Sequence, residues 1–191
     1  MDERMKVVAT IEARMTSSRL PGKVLLPAAG KPMLYHLINR LRKVESIDEI
    51  VLATTVNAAD EPLVAFATEH GVRYHRGSEE DVMLRVIEAA ESAGAEVIAE
   101  ITADCPIIDP FIVEQVIRTF LCNSAEYVCN GDVPGYPDGM CLPVFTLESL
   151  KRSAAMTSDS LDHEHVTLHM RNHPEIFRPV YVVPPPDLYW P

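Results

Sequence analysis

Ile11-Glu12-Ala13-Arg14-Met15-Thr16-Ser17-Ser18-Arg19-Leu20-Pro21-Gly22-Lys23 decides the reading of this chain, because it follows an apolar run and gathers three cations and three hydroxyls into one short connection. Such a loop suits polyanionic phosphate. The run Met5 to Ile11 reads as a buried strand, and the loop leaves it at the end where open α/β sheets place their ligands. Gly22 lets the backbone approach a ligand, while Arg14, Arg19 and Lys23 can supply charge-assisted hydrogen bonds to phosphate oxygens. A solvated basic turn is the plain alternative, and the order and spacing of these residues favour the phosphate loop over it. Neither Gly-x-x-x-x-Gly-Lys-Ser/Thr nor Gly-x-Gly-x-x-Gly occurs, so the cradle is not a Walker A loop or a dinucleotide fingerprint.

Charge is distributed unevenly around this loop. The 191 residues carry a formal net charge of −11, which argues against binding nucleic acid or an anionic membrane through a broad basic surface. Residues 1–43 nevertheless hold nine of the 17 Lys and Arg and only three of the 28 Asp and Glu. A local anion site in an acidic protein is the natural interpretation. With 47% hydrophobic residues the chain can bury one substantial core, and the expectation is a single domain over 1–191. No apolar run approaches the length needed to span a bilayer and Met1-Asp2-Glu3-Arg4 lacks a signal-peptide core, so a cytoplasmic location is expected. Cys105, Cys122, Cys129 and Cys141 form no Cys-x-x-Cys pair and are read as buried reduced thiols.

The order of elements predicts an α/β fold, a Rossmann-like, mostly parallel sheet flanked by helices. Pro32 is placed in the first turn of a helix with Leu34, Leu37, Ile38 and Leu41 on one face, followed by a strand from Glu49 to Ala53. Asp60 is read as the cap of a helix containing Leu63, Phe66 and Ala67, with the next strand at Val72 to His75. Ser78 to Asp81 has the Ser-x-x-Asp form of a helix cap, opening a helix through Ala93. Glu96 to Ile101 alternates as a strand, and Asp109-Pro110 starts a helix to about Leu121. Beyond it come a strand at Tyr127 to Asn130, a turn-rich segment Gly131 to Gly139, a strand near Leu142 to Phe145 and two helical stretches. This half is expected to form the acceptor side of the site.

Two segments could hold a metal. Asp104 lies just beyond the Glu96 to Ile101 strand, where a carboxylate can meet a bound triphosphate, and magnesium takes one or two carboxylates with phosphate oxygens and water. The alternative for Asp104 is a turn cap before Pro106. His165, His169 and His173 fall at i, i+4 and i+8, the spacing of one helical face, which raises zinc. His-Glu-x-x-His is absent, and a polar helix face or acceptor recognition is favoured over a zinc site.

Across nearly its whole length the chain resembles the spore coat polysaccharide biosynthesis protein F family, a branch of the acylneuraminate and deoxy-octulosonate cytidylyltransferases. The pieces that carry the resemblance are Glu12-Ala13-Arg14-Met15 through Leu20-Pro21-Gly22-Lys23-Val24-Leu25, Gly30-Lys31-Pro32-Met33, Arg76-Gly77-Ser78-Glu79-Glu80-Asp81-Val82, Thr102-Ala103-Asp104-Cys105-Pro106, Tyr136-Pro137-Asp138-Gly139 and Glu164-His165-Val166-Thr167. The resemblance implies a nucleotide-diphospho-sugar transferase fold, CTP as donor, a small acidic, nonulosonate-like acceptor, Mg2+ as cofactor and a homodimer. By position, Ala13, Arg14, Ser18, Arg19, Gly22, Lys23, Thr102 and Asp104 would contact the nucleotide, with Ser78 and Asp81 as further candidates. Arg14, Lys23 and Asp104 would be catalytic, Asp104 also binding the metal. Tyr136, Asp138, Glu164 and His165 would meet the acceptor. Relatives supply a further metal-binding Asp beyond the position of Pro191, so the chain is read as C-terminally truncated or a short natural variant. Rival readings are transfer to another acceptor such as a phosphonate, and a nucleotide-binding regulatory protein without turnover.

Overall fold

In the computed structural model, residues 4–132, 135–186 and Tyr189 are described. Val133 and Pro134, inside the predicted Gly131 to Gly139 turn, lie outside the described residues, as do Trp190 and Pro191. The central strand is β1 (Val7–Glu12), with β4 (Glu49–Thr55) on one side and β6 (Val97–Thr102) on the other, both parallel to it. Adding β5 (Arg73–Gly77), β7 (Tyr127–Cys129), β8 (Pro143–Thr146) and β9 (Pro179–Tyr181) gives a seven-stranded sheet of order β5-β4-β1-β6-β8-β7-β9. Only β8 runs against the rest. A separate two-stranded hairpin joins β2 (Pro27–Ala28) to β3 (Lys31–Pro32) through Ala29 and Gly30, both with positive φ, as a two-residue turn of this kind requires.

Covering both faces explains why the β1 run is apolar throughout. Val7, Ala9 and Ile11 face a core shared with α1 (Met33–Leu41), α2 (Glu61–Glu69) and α4 (Pro110–Leu121). Val8 faces the opposite core with α3 (Val82–Ser92), α5 (Leu147–Met156), α7 (Leu168–Asn172) and α8 (Pro174–Phe177). The chain builds β1, β4 and β5 outward to one side and then crosses to β6 on the other side of β1. The β1/β6 boundary is therefore the topological switch point, the place where open α/β sheets bind ligands beyond the carboxyl ends of their strands.

Several local expectations are corrected. Pro32 ends β3 and precedes the first turn of α1. The cap of α3 is Asp81, whose carboxylate accepts from Leu84 N at 2.8 Å, while Ser78 Oγ accepts from Asp81 N at 3.0 Å. Asp60 makes no cap hydrogen bond to α2, because its carboxylate is buried and used elsewhere. Two helical stretches after β8 become four short helices, α6 (Ser160–Glu164) completing the set. Val166, at φ 39°, lies in the break between α6 and α7, so His165, His169 and His173 do not share one helix face. His169 instead pairs with Asp162 at 3.3 Å and packs on His173 with ring centroids 4.4 Å apart. Among the described residues no helix is long and apolar enough to cross a membrane.

Candidate active site

The loop leaving β1 is tied down from beneath. Met15 N donates to Asp60 Oδ1 at 2.7 Å, and Asp60 Oδ2 accepts from Thr54 Oγ1 (3.1 Å), Thr55 N (3.1 Å) and Thr55 Oγ1 (2.5 Å). A fully buried carboxylate with four donors fixes the start of the loop to the end of β4. The far end closes on itself, Gly22 N donating to Met15 O at 2.9 Å. Gly22 has φ 69°, and a Cβ there would lie 3.1 Å from Met15 Cε, so both conformation and space favour glycine. A short 3-10 turn, Lys23–Leu25, then aims Lys23 back across the strand ends.

This arrangement brings most of the sequence-predicted residues together. A cleft of about 340 Å³ is lined by Ala13, Arg14, Ser18, Arg19 and Lys23 from the loop, Thr102 and Asp104 from the end of β6, and Glu164 and His165 from the end of α6. Lys23 Nζ donates directly to Asp104 Oδ2, joining the two sides of the switch point. Burial pushes the Asp104 pKa up, but hydrogen bonds from Lys23 and Thr102 and the charge of Lys23 outweigh it, leaving the carboxyl below its ordinary value. Arg14 lies 3.8 Å from Glu79, which also accepts from Thr16 (2.6 Å) and Asn57 (2.9 Å). Those two hydrogen bonds hold Glu79 below the usual carboxylate range.

Some expected residues stand apart. Gly22 shapes the loop without lining the cleft, and Ser78 and Asp81 are engaged in the α3 cap, where Asp81 Oδ1 also meets His163 Nδ1 at 2.9 Å. Tyr136 points its hydroxyl toward Gln115 of α4 at 3.5 Å, and neither it nor Asp138 lines the cleft. Conversely, Glu12, Ser17 and Arg85 line it without having been singled out. Arg85 is buried on α3, donates to Ser78 O, and its Nε has no hydrogen-bond partner among the described residues. It adds a fourth cation to the loop's three, the only advance signal being a charged residue beside the Met83, Val86 and Ile87 stripe.

A second cavity of about 460 Å³ adjoins the cleft. Glu12, Thr102, Glu164 and His165 line both spaces, and Glu100, Cys141 and Arg171 line the second alone. Arg171 is its cation, paired through Nε with Asp132 at 2.8 Å. A wider groove of about 830 Å³ outside α4, around Phe111 and Arg118, contains none of the loop's cations.

Residues 8–187 match the family model described as cytidylyltransferase. The chain belongs to the cytidylyltransferase family. Its chemistry is accordingly that of a nucleotidyltransferase. The spore coat polysaccharide biosynthesis protein SpsF of Bacillus subtilis is 33% identical over 184 residues, covering 94% of this chain and 75% of that protein. The 3-deoxy-manno-octulosonate cytidylyltransferase of Geobacter sulfurreducens is 32% identical over 123 residues, covering 63% of this chain and 48% of that protein. A solved cytidylyltransferase from Leptospira borgpetersenii superposes with a TM-score of 0.90 at 30% identity, over 94% of this chain and 76% of its own. The cytidylyltransferase assignment agrees with the family resemblance, and the mostly parallel, helix-flanked sheet with the order of elements in the sequence.

Proposed function

We propose that this cytidylyltransferase uses CTP to form a CMP-linked acidic sugar and pyrophosphate, for the polysaccharide of a cell surface or spore coat. The observation that carries the reading is the single cleft in which the cations of the β1 loop meet Asp104 of β6, with Lys23 bridging them. Such a cleft suits a triphosphate whose α-phosphorus lies near the strand ends. The names borne by the relatives support a sugar destined for polysaccharide and a keto-acid sugar as the acceptor class.

In this reading the acceptor occupies the second cavity and reaches the donor across the shared wall of Glu12, Thr102, Glu164 and His165. Arg171 is placed to receive an acidic group. The acceptor oxygen attacks the α-phosphorus as the bond to the pyrophosphate oxygen breaks. Arg14, Arg19, Lys23 and Arg85 stabilise charge developing on the leaving pyrophosphate, so catalysis rests on positioning and electrostatics without a covalent enzyme intermediate. Asp104 fits magnesium: a hard carboxylate, held ionised, on the side of the cleft opposite the loop. Magnesium bound there would neutralise charge on donor phosphate oxygens. A homodimer is part of this proposal through the family resemblance.

Pyrophosphate release tests the reading, using CTP, ATP, GTP and UTP against a panel of acidic sugars and a phosphonate. Release with CTP and one such sugar is expected. CTP binding with no release across the panel would favour the regulatory reading, and release only with a phosphonate would replace the acceptor class.

A further inference from the structure

Charge is buried at one place that phosphate binding does not use. Glu12 ends β1 and Glu100 lies on β6, and their strands pair Thr10 with Glu100 and Glu12 with Thr102. Paired and alternate residues share a face, so both carboxyls project from the α3 side of the sheet. Glu100 is only 8% exposed, and its Oε2 and the Oε1 of Glu12 have no partner among the described donors. The register sets the two carboxyls side by side on neighbouring strands. Glu12 opens onto both the phosphate cleft and the second cavity, Glu100 onto the second alone.

A pair kept only for packing would gain nothing from this placement, since apolar residues of the same volume would cost less to bury. Its position on the wall between the two spaces is where an acceptor hydroxyl would meet the α-phosphorus. We propose that Glu12, which shares its sheet face with Glu100, is the proton acceptor of the transfer. The acceptor oxygen forms its bond to the α-phosphorus, the bond from that phosphorus to the pyrophosphate oxygen breaks, and the hydroxyl proton passes to Glu12. Glu12 passes from carboxylate to carboxylic acid, while negative charge leaves with pyrophosphate. This inference rests on the cytidylyl-transfer reading above.

The surroundings raise the proton affinity of both carboxyls, so Glu12 acts as base from its ionised form. Burial, then the charge of Glu100, pushes Glu12 well above its ordinary value, with Asp104 adding to the effect and Arg85 of α3 opposing it. Burial likewise pushes Glu100 up to about 8, the neighbouring Glu12 lowering it, Cys129 of β7 raising it and Arg171 of α7 lowering it. Glu164 and His165 close the cavity from α6.

The test uses the full chain, CTP, magnesium and 3-deoxy-manno-octulosonate as acceptor probe, with CTP affinity measured separately by calorimetry. Glu12→Gln is expected to keep the thermal melt and CTP affinity while lowering kcat roughly hundredfold or more, the usual span for a lost general base. Glu12→Asp should recover part of that loss. Glu100→Gln should lower kcat less, and the double Gln variant should be no slower than Glu12→Gln alone, because paired groups act as one unit. Unchanged kcat in Glu12→Gln, or additive losses in the double variant, would overturn the assignment. A wild-type chain that binds no CTP would remove the functional reading itself, an outcome separate from either.

Discussion

Lys23 and Asp104 are each other's ion-pair partner, which makes their replacements informative in different ways. Lys23→Ala should weaken CTP binding about ten- to a hundredfold and CMP binding much less, since a charge-assisted contact to an outer phosphate is worth roughly 1.5–3 kcal/mol. Calorimetric titrations with both nucleotides check it, equal losses counting against an outer-phosphate role. Asp104→Asn should remove most magnesium-dependent turnover, because an amide is a poor ligand for a hard cation. Its stability effect should be small. Against the effect of burial, the hydrogen bond and charge of Lys23 hold the Asp104 carboxyl below its ordinary pKa in the folded chain, so its contribution is present above the unfolded pKa and is lost as pH falls through the folded one. With the side chain 43% exposed, solvent screening keeps that contribution under about 1 kcal/mol. Acid melts of wild type and variant should nearly coincide, and an unaltered magnesium titration in the variant would return Asp104 to a turn cap.

Among elements, the phosphate loop and the α3 cap show what the sequence made legible and what it hid. Strand and helix periods marked β1, β4, β6, α1 and α4 because each packs on a continuous apolar core. Asp60 was misread because Asp before a helix ordinarily caps it, whereas here Thr54, Thr55 and Met15 N supply four donors that outbid the helix end. Asp60→Asn replaces an acceptor by a donor amid those groups. It should cost about 3 kcal/mol in a denaturant melt and weaken CTP binding through a loosened loop. The docking of α6 on α3 depends on His163, whose pKa is raised first by its hydrogen bond to Asp81. That stabilisation is fully present below the unfolded His value of about 6.5 and is lost as pH rises through the folded one. Partly exposed, it amounts to less than about 1 kcal/mol. The melting-temperature gap between wild type and His163→Ala should therefore narrow as pH rises from 6 to 9; a gap that widens would contradict the pairing.

At the scale of the whole molecule, the sheet order puts the site at the β1/β6 switch point, where Arg14, Arg19, Lys23 and Arg85 of an acidic chain meet. The loop, its cations and Asp104 were readable because they adjoin recognisable strands. Glu100 was not singled out: in an alternating run it reads as an outward residue, yet a central strand of this sheet has no outward face. The edge strand β9 escaped because three residues opening on Pro179 carry too little pattern. The His165 to His173 spacing misled because periodicity cannot register the break at Val166. The most direct measurement of the central claim is a calorimetric titration of the full chain with CTP and magnesium, repeated with ATP, GTP and UTP. Saturable one-site binding is expected for CTP, tighter than for the other three and largely lost in a chain carrying both Arg14→Ala and Lys23→Ala. No saturable CTP binding, or CTP binding indifferent to those two replacements, would contradict a cytidylyl-donor site in this cleft.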